Sequence, residues 1–346
     1  MGISKVSLTG FRNFTSKLIE FSPDLTVIIG PNASGKTNIL ESINLIATGK
    51  SFRAKIEEEM VKENAEIARV KAKTDEVLEI ILTRGEINLG TPRAERVARK
   101  RLLVDGVGKR LIDFAGRFKT VLFDPWDLDL ITQSPSLRRN FLDTVLSQVD
   151  REYRRALLSY EKGLRQRNRL LYRIREEGLS RSQLLFWDRL LIKNGDYISQ
   201  KREDFIEHAN NKPSLDSHKF RLEYDKSAIS ASRLEQYAAE EVAAATTLVG
   251  PHRDDFCFFE NGRDLSRFGS RGEQRMAVLW LKLRELEYIE DQTGDRPTLL
   301  LDDIFSELDK AHREVVMSVI KSRQTIITTT DSQFIKKFAK VEKIIL

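Results

Sequence analysis

Eight residues, Gly30-Pro31-Asn32-Ala33-Ser34-Gly35-Lys36-Thr37, fit the pattern G-x-x-x-x-G-K-[ST] and lie between an apolar run and a helical repeat. The run Leu25 to Ile29 is β-branched and short enough for a buried strand. After the loop, Ile39, Leu40, Ile43, Ile46 and Ala47 recur at helical spacing. A glycine-rich loop held between strand and helix points successive backbone N–H groups, and the positive helix end, at one place. The segment therefore predicts a triphosphate cradle, with Gly30, Pro31, Asn32, Ala33, Ser34 and Gly35 wrapping the phosphates. Lys36 is expected on the outer phosphates and the Thr37 hydroxyl on Mg2+.

An apolar strand ending in two carboxylates, Thr298-Leu299-Leu300-Leu301-Asp302-Asp303, supplies what such a cradle needs opposite it. Asp302 is expected on the metal, directly or through water, and Asp303 beside it on the attacking water. About thirty residues upstream, Ser270-Arg271-Gly272-Glu273-Gln274 opens a long helix, a place suited to an anion.

With 346 residues, 40% of them hydrophobic, the chain can bury one large or two ordinary cores. Its longest apolar runs fall far short of the roughly 20 residues that span a bilayer, so no membrane segment is expected. The N-terminus reads directly as strand, with no leader pattern. A single cysteine, Cys257, excludes an internal disulfide, and four scattered histidines make a structural zinc a poor reading. A reducing cytoplasm is the simplest setting.

Net charge is +6, and the excess is uneven. Residues 151–202 carry 14 Lys or Arg against 6 Asp or Glu, and residues 93–119 carry 9 against 3. Nucleic acid is a fair partner on charge, with a solvated structural surface as the competing reading.

Strand-like alternation continues at Arg69 to Thr74, Val77 to Thr83 and on both sides of Asp105-Gly106, a dipeptide suited to a tight hairpin. A small antiparallel sheet beside the nucleotide core follows. From about Asp127 to Ala245 the pattern reads as mostly helical. Tyr153, Leu157, Tyr160, Leu164, Leu171 and Ile174 form a narrow seam broken at Arg167-Asn168; Gly178 ends that helix, and Ser180 with Gln183 suggests a capping box for the next. A helical hairpin over about 151–205 is expected. α/β alternation then returns, with strands near Phe256 to Phe259, Thr298 to Leu301, Thr325 to Thr329 and Ile344 to Leu346.

A Ser-x-Gly-x-Gln segment ahead of a double-Asp strand, followed by Ser306-Glu307-Leu308-Asp309, is the layout of ABC-type ATPases. Beyond it the chain resembles the RecF recombination mediators from end to end. The matching segments are Gly10-Phe11-Arg12-Asn13-Phe14, the phosphate loop with Asn38 to Glu41, Ser51-Phe52-Arg53, Ser134-Pro135-Ser136 with Arg138-Arg139 and Phe141-Leu142-Asp143, Gly250 to Asp255, Ser270 to Gln274, and Leu300 to Asp309.

The resemblance implies an α/β fold: an ABC-type ATPase head (P-loop NTPase core with an antiparallel β subdomain) plus a mainly helical second lobe. The head would comprise residues 1–125 and 246–346, the helical lobe 126–245. It implies ATP and Mg2+ as cofactors, Arg12 and Asn38 as further nucleotide contacts, and an ATP-dependent homodimer in which Ser270 and Gly272 act in trans. It implies slow ATP hydrolysis, binding to double-stranded DNA near single-strand gaps and ss/ds junctions, work with RecR and RecO to place the strand-exchange protein, a place in the SOS response, and a cytoplasmic, nucleoid-associated setting. Where transporter heads carry a His, this chain has Thr328-Thr329-Thr330-Asp331, which leaves Thr330 as a hydroxyl sensor; Gln133 in the lobe-joining loop takes no role. The rival readings are an ABC-type subunit acting on a protein or membrane partner, and a P-loop kinase or GTPase. The single phosphate loop and the missing Asn-Lys-x-Asp motif count against them.

Overall fold

A computed structural model describes residues 2–87, 95–306, 310–320, 322–331 and 341–346. The Glu307-Leu308-Asp309 part of the last motif lies outside the described residues. The chain divides into two compact units, Met1–Asp127 with Ile289–Leu346, and Leu128–Tyr288.

In the first unit, five parallel strands are ordered Thr120–Phe123, Thr298–Asp302, Thr325–Thr329, Leu25–Ile29 and Glu342–Ile345. Leu299, Leu300, Leu301, Ile326, Ile327, Val27 and Ile28 are buried, because a parallel sheet covered on both faces needs continuous apolar strands. A six-stranded antiparallel sheet runs Phe14–Glu20, Lys5–Phe11, Ile67–Lys73, Val77–Thr83, Lys100–Val104 and Val107–Lys109. Its strands alternate instead: Ala68, Val70 and Ala72 point into the core while Ile67, Arg69, Lys71 and Lys73 face out. Asp105 and Gly106 both take positive φ, 48° and 80°, the turn geometry that matches strand twist. Helix Lys36–Thr48 shares one core with residues of both sheets, which explains why ten of its thirteen residues are buried.

The second unit contains the hairpin. Its first arm, Arg151–Glu177, is capped by Asp150 Oδ1, which accepts from the N–H groups of Glu152 and Tyr153 at 2.8 and 3.1 Å. It closes at Gly178, left-handed at φ 67°, whose N–H bonds Ile174 O. Twenty-seven residues at about 1.5 Å each give an arm of roughly 40 Å. The second arm, Leu185–Asn210, follows a 3₁₀ turn at Arg181–Leu184. Ser180 caps that turn, accepting from Ser182 N, so it does not start the helix itself. Gly163 marks the crossing of the arms: a Cβ there would sit 2.6 Å from Leu190 Cδ2. The break in the seam is a polar node. Arg167, 2% exposed, donates to Asp188 at 2.7 Å and to Thr247 Oγ1 at 2.9 Å and pairs with Glu241 at 2.7 Å.

Two sequence readings change here. Residues His218–Asp225, read as part of a mostly helical stretch, form a strand paired antiparallel with Asp255–Glu260, within a four-stranded sheet completed by Ser214–Leu215 and Arg263–Asp264. Phe220 and Leu222 face inward and Arg221 and Glu223 outward, a period of two that overrides the helical surroundings. That pairing also ties residues 246–288 to the second unit, whereas the sequence reading returned the chain to the head at 246.

The segments Ser134 to Asp143 and Gly250 to Asp255 meet in one buried network. Arg138 grips Asp255 with two bonds of 2.6 and 2.9 Å, and Arg139 donates to Asp254 O at 2.8 Å. Arg202 donates to Asp254 at 3.0 Å, Asp143 at 2.9 Å and Pro251 O at 2.7 Å. In the same network His252 Nε2 lies 3.0 Å from Thr247 O, a pure acceptor, so the proton sits on Nε2 and Nδ1 accepts from Tyr160 OH at 2.8 Å. Burial, with Arg253 and Arg139 nearby, pushes the imidazole down to about 4, against the opposing pull of the Thr247 carbonyl and Asp254. Since the folded value lies below the unfolded one of about 6.5, this group costs nothing at neutral pH. As pH falls from about 6.5 to 4 the unfolded chain takes up a proton that the folded chain refuses, a loss reaching about 3 kcal/mol at most. Urea melts between pH 7 and 4.5 are expected to show a shallower decline for His252→Gln than for the parent; parallel declines would contradict the assignment.

Candidate nucleotide site

The buried strand Leu25–Ile29 delivers the chain to Gly30, where a Cβ would lie 2.6 Å from Ser34 Oγ. Gly35 is required twice over: its φ is 104°, and a Cβ would come within 2.8 Å of Asn13 and Phe14 atoms. Ala33 also takes a positive φ, 65°. Lys36 is 8% exposed and folds back over the loop, donating to Gly30 O at 2.8 Å and Pro31 O at 2.9 Å. The Ser34 hydroxyl is buried with no hydrogen-bond partner among the described residues. A tight cradle, an ammonium tethered to two carbonyls and a hydroxyl left without a partner among the described residues fit a phosphate chain.

The metal half of the site comes from the first turn of helix Lys36–Thr48 and the ends of two neighbouring strands. Thr37 Oγ1 donates to Asp302 Oδ1 at 3.1 Å, and Thr328 Oγ1 donates to the same oxygen at 2.6 Å. Asp302 is 6% exposed. A hydroxyl and a carboxylate oxygen at this separation form a hard, all-oxygen donor set that suits Mg2+ completed by water and phosphate oxygens. Thr328 fixes the orientation of the carboxylate through that bond. Asp303 turns out of the strand at φ 49°, its N–H directed to Thr328 O and Oγ1 at 3.2 and 3.1 Å. Thr330 is exposed beyond the strand end.

Arg12 and Asn38 lie on the flank of the loop. Asn13 Nδ2 donates to Ser34 O at 3.2 Å, Asn38 Nδ2 to Asn13 Oδ1 at 2.9 Å, and Arg53 Nη1 to Asn38 Oδ1 at 2.9 Å. Arg12 forms a two-bond pair with Glu41, 2.7 and 2.5 Å, and donates to Glu59 O at 2.8 Å. Glu41 is fully buried and also accepts from Ser51 Oγ at 2.5 Å. Asn13, Glu41, Arg53 and Thr328 received no individual role from the sequence. A carboxylate on the apolar side of a helix, as at Glu41, is the sign that could have marked one of them, since a buried charge needs a partner.

Ser270 and Gly272 belong to the second unit and are exposed. Ser270 N donates to Glu273 Oε2 at 2.7 Å, and Glu273 N to Ser270 Oγ at 3.3 Å, a reciprocal capping box. Those bonds and Arg263 at 2.8 Å hold the Glu273 carboxyl down at about 2. A Cβ on Gly272 would meet nothing closer than Ser270 Oγ at 4.0 Å. The fold of this chain gives no steric reason for glycine in a helical turn, where it costs about 1 kcal/mol against alanine.

A family model described as the RecF/RecN/SMC N terminal domain matches residues 2–346. The chain is 34% identical over 356 aligned residues to the DNA replication and repair protein RecF of Lachnoclostridium phytofermentans, covering 99% of this chain and 97% of that relative. The chain belongs to the RecF family. The RecF of Symbiobacterium thermophilum is 37% identical, with 96% of this chain and 92% of that relative covered. A solved recombination mediator protein RecF in the RecFOR pathway, bound to ATP, aligns at TM-score 0.84 and 33% identity over 95% of this chain and 92% of its own. An Smc head domain from Pyrococcus furiosus aligns at TM-score 0.51 and 17% identity over 99% of this chain and 92% of its own, a likeness of fold. The fold is thus that of an ABC/SMC-like ATPase head, and no helix among the described residues is long and apolar enough to cross a membrane.

Proposed function

We propose that this RecF-family chain is an ATP-dependent DNA-binding mediator of recombination and repair, using ATP as a switch between monomer and dimer. The single observation that carries the nucleotide reading is the convergence of Thr37 and Thr328 on one oxygen of Asp302, directly beside a cradle that buries an unsatisfied Ser34 hydroxyl. The ATP-bound relative supports the choice of nucleotide.

Gly30 to Gly35 would hold the phosphates by backbone N–H groups, and Lys36 would exchange its two carbonyl acceptors for β- and γ-phosphate oxygens. Thr37 and Asp302 would hold Mg2+, which when bound neutralises charge on the β- and γ-oxygens. Asn38 and Arg12 border the loop; among the described residues Arg12 commits three of its five N–H groups, to Glu41 and Glu59, and two remain for the nucleotide. Asp303 orients the attacking water and accepts its proton.

Ser270 and Gly272 complete the site of a second copy. Exposed Ser270, and a glycine that its own fold does not demand, suit close approach by an outside group. A twofold dimer with two composite sites follows. Because the cap reads the γ-phosphate, ATP favours closure over ADP, and duplex DNA bound across two heads must by linkage tighten ATP binding. Assembly with RecO- and RecR-type partners belongs to the same proposal, supported by the RecFOR pathway in which the solved relative works.

Ser270→Arg tests the trans cap. The variant is expected to bind ATP as the parent does yet remain monomeric in light scattering; ATP-driven dimers of the variant would refute it. For the DNA surface, Lys162, Arg165 and Arg169 share one exposed face of the first hairpin arm, without carboxylate partners among the described residues. Reversing all three to Glu is expected to weaken duplex binding and flatten its salt dependence by roughly 2 to 3 in log–log slope. An unchanged slope would place the DNA elsewhere.

A further inference from the structure

Near the turn of the hairpin lies a cavity of about 490 Å³ that plays no part in nucleotide chemistry. Leu171, Leu184, Leu185 and Ile192 line it from the hairpin, and Leu234 and Ala238 from helices Ala231–Gln236 and Ala238–Ala244. Its mouth continues onto two consecutive exposed apolar residues, Leu185 and Phe186, at 57% and 64% exposure. Phe186 meets Trp187 edge-on at 4.9 Å between ring centroids. Large apolar side chains left in water beside an apolar cavity mark a contact surface.

The charges around the cavity select the occupant. Three arginines, Arg167, Arg181 and Arg189, alternate with three carboxylates, Asp188, Glu235 and Glu241, so the lining lacks the run of free cations that tracks a phosphate backbone. Arg167 is spent on Asp188 and Glu241, and Arg181 meets Glu235 at 3.2 Å. Arg189 is exposed and has no carboxylate partner among the described residues. The complement of this surface is an apolar side chain for the cavity with a carboxylate a few ångströms away for Arg189.

We propose that the cavity is the docking site for a short acidic segment of a partner protein, which inserts an apolar side chain among Leu171, Ile192 and Leu234 and sets a carboxylate on Arg189. The site is independent of ATP.

Selection from a random twelve-residue peptide library on the intact chain without nucleotide tests this. Recovered peptides are expected to carry an aromatic or aliphatic residue flanked by Asp or Glu. Ala231 is exposed on the cavity wall, so Ala231→Trp fills the cavity from outside the core. By fluorescence anisotropy that variant is expected to bind the recovered peptides roughly tenfold more weakly or worse, and Arg189→Glu roughly fivefold. Arg189→Glu lies on the surface and decides the matter if the tryptophan variant misfolds. Three results would overturn the proposal: peptides bound equally by parent and variants, peptides rich in Lys and Arg, or nucleotide-free dimers of the parent that both variants abolish, which would make a second copy the occupant.

Discussion

Asp303→Asn is expected to lower ATP turnover by roughly a hundredfold or more while ATP affinity stays within a factor of a few. A positioned general base contributes about 10²–10⁴ to a proton transfer, and the amide keeps the shape of the carboxylate without its proton affinity. Asp303 stands one residue past the buried Asp302 proposed to hold Mg2+, its backbone at φ 49° and its N–H anchored to Thr328 O and Oγ1, which sets it next to the proposed metal site. ATP-bound dimers of the variant should therefore accumulate instead of cycling, visible as a persistent dimer peak in size exclusion with ATP. A variant that turns over ATP at the parental rate would remove Asp303 from the chemistry.

Lys36→Met carries the second large effect. Losing the ammonium removes charge-assisted bonds to phosphate worth about 1.5 to 3 kcal/mol each, so ATP affinity should drop by roughly a hundredfold. The unbranched methionine fits the space of a side chain that is 8% exposed. The two bonds from Lys36 to Gly30 O and Pro31 O are lost as well, so loop stability falls slightly with the fold intact. Equilibrium binding of a fluorescent ATP analogue, with circular dichroism as the check on folding, measures this. Unchanged affinity would refute the loop assignment, since no other ammonium is tethered in the cradle among the described residues.

What the sequence disclosed about this site was what local spacing can carry. Strand Leu25–Ile29, the glycine turn and helix Lys36–Thr48 are contiguous, and each is fixed by its own periodicity and by glycine chemistry at Gly30 and Gly35. The meeting of Thr37 with Asp302 spans 265 residues and depends on the order of parallel strands; the apolar strand ending in two carboxylates, set against the phosphate loop, suggested the partnership but not its geometry. Thr328 as the residue that orients Asp302 was out of reach for the same reason. The strand His218–Asp225 was hidden among long helices although His-Lys-Phe-Arg-Leu-Glu-Tyr-Asp alternates from end to end, because helical spacing on both sides outweighed eight residues of period two. Its partner strand, Asp255–Glu260, was legible by itself, yet the unit it joins was decided by the pairing. The polar break at Arg167-Asn168 looked like a defect in a hydrophobic seam and is instead where the hairpin is pinned, through Arg167 to Asp188 and Glu241 and through Asn168, whose Oδ1 accepts from Thr247 N at 2.9 Å.

The mass of the chain in solution reports directly on whether ATP joins two copies. With ATP, magnesium and duplex DNA present together, multi-angle light scattering is expected to show the protein mass rising from 39.8 kDa to twice that value, and returning when ADP replaces ATP. A protein component that stays at the single-chain mass under saturating ATP would contradict the account.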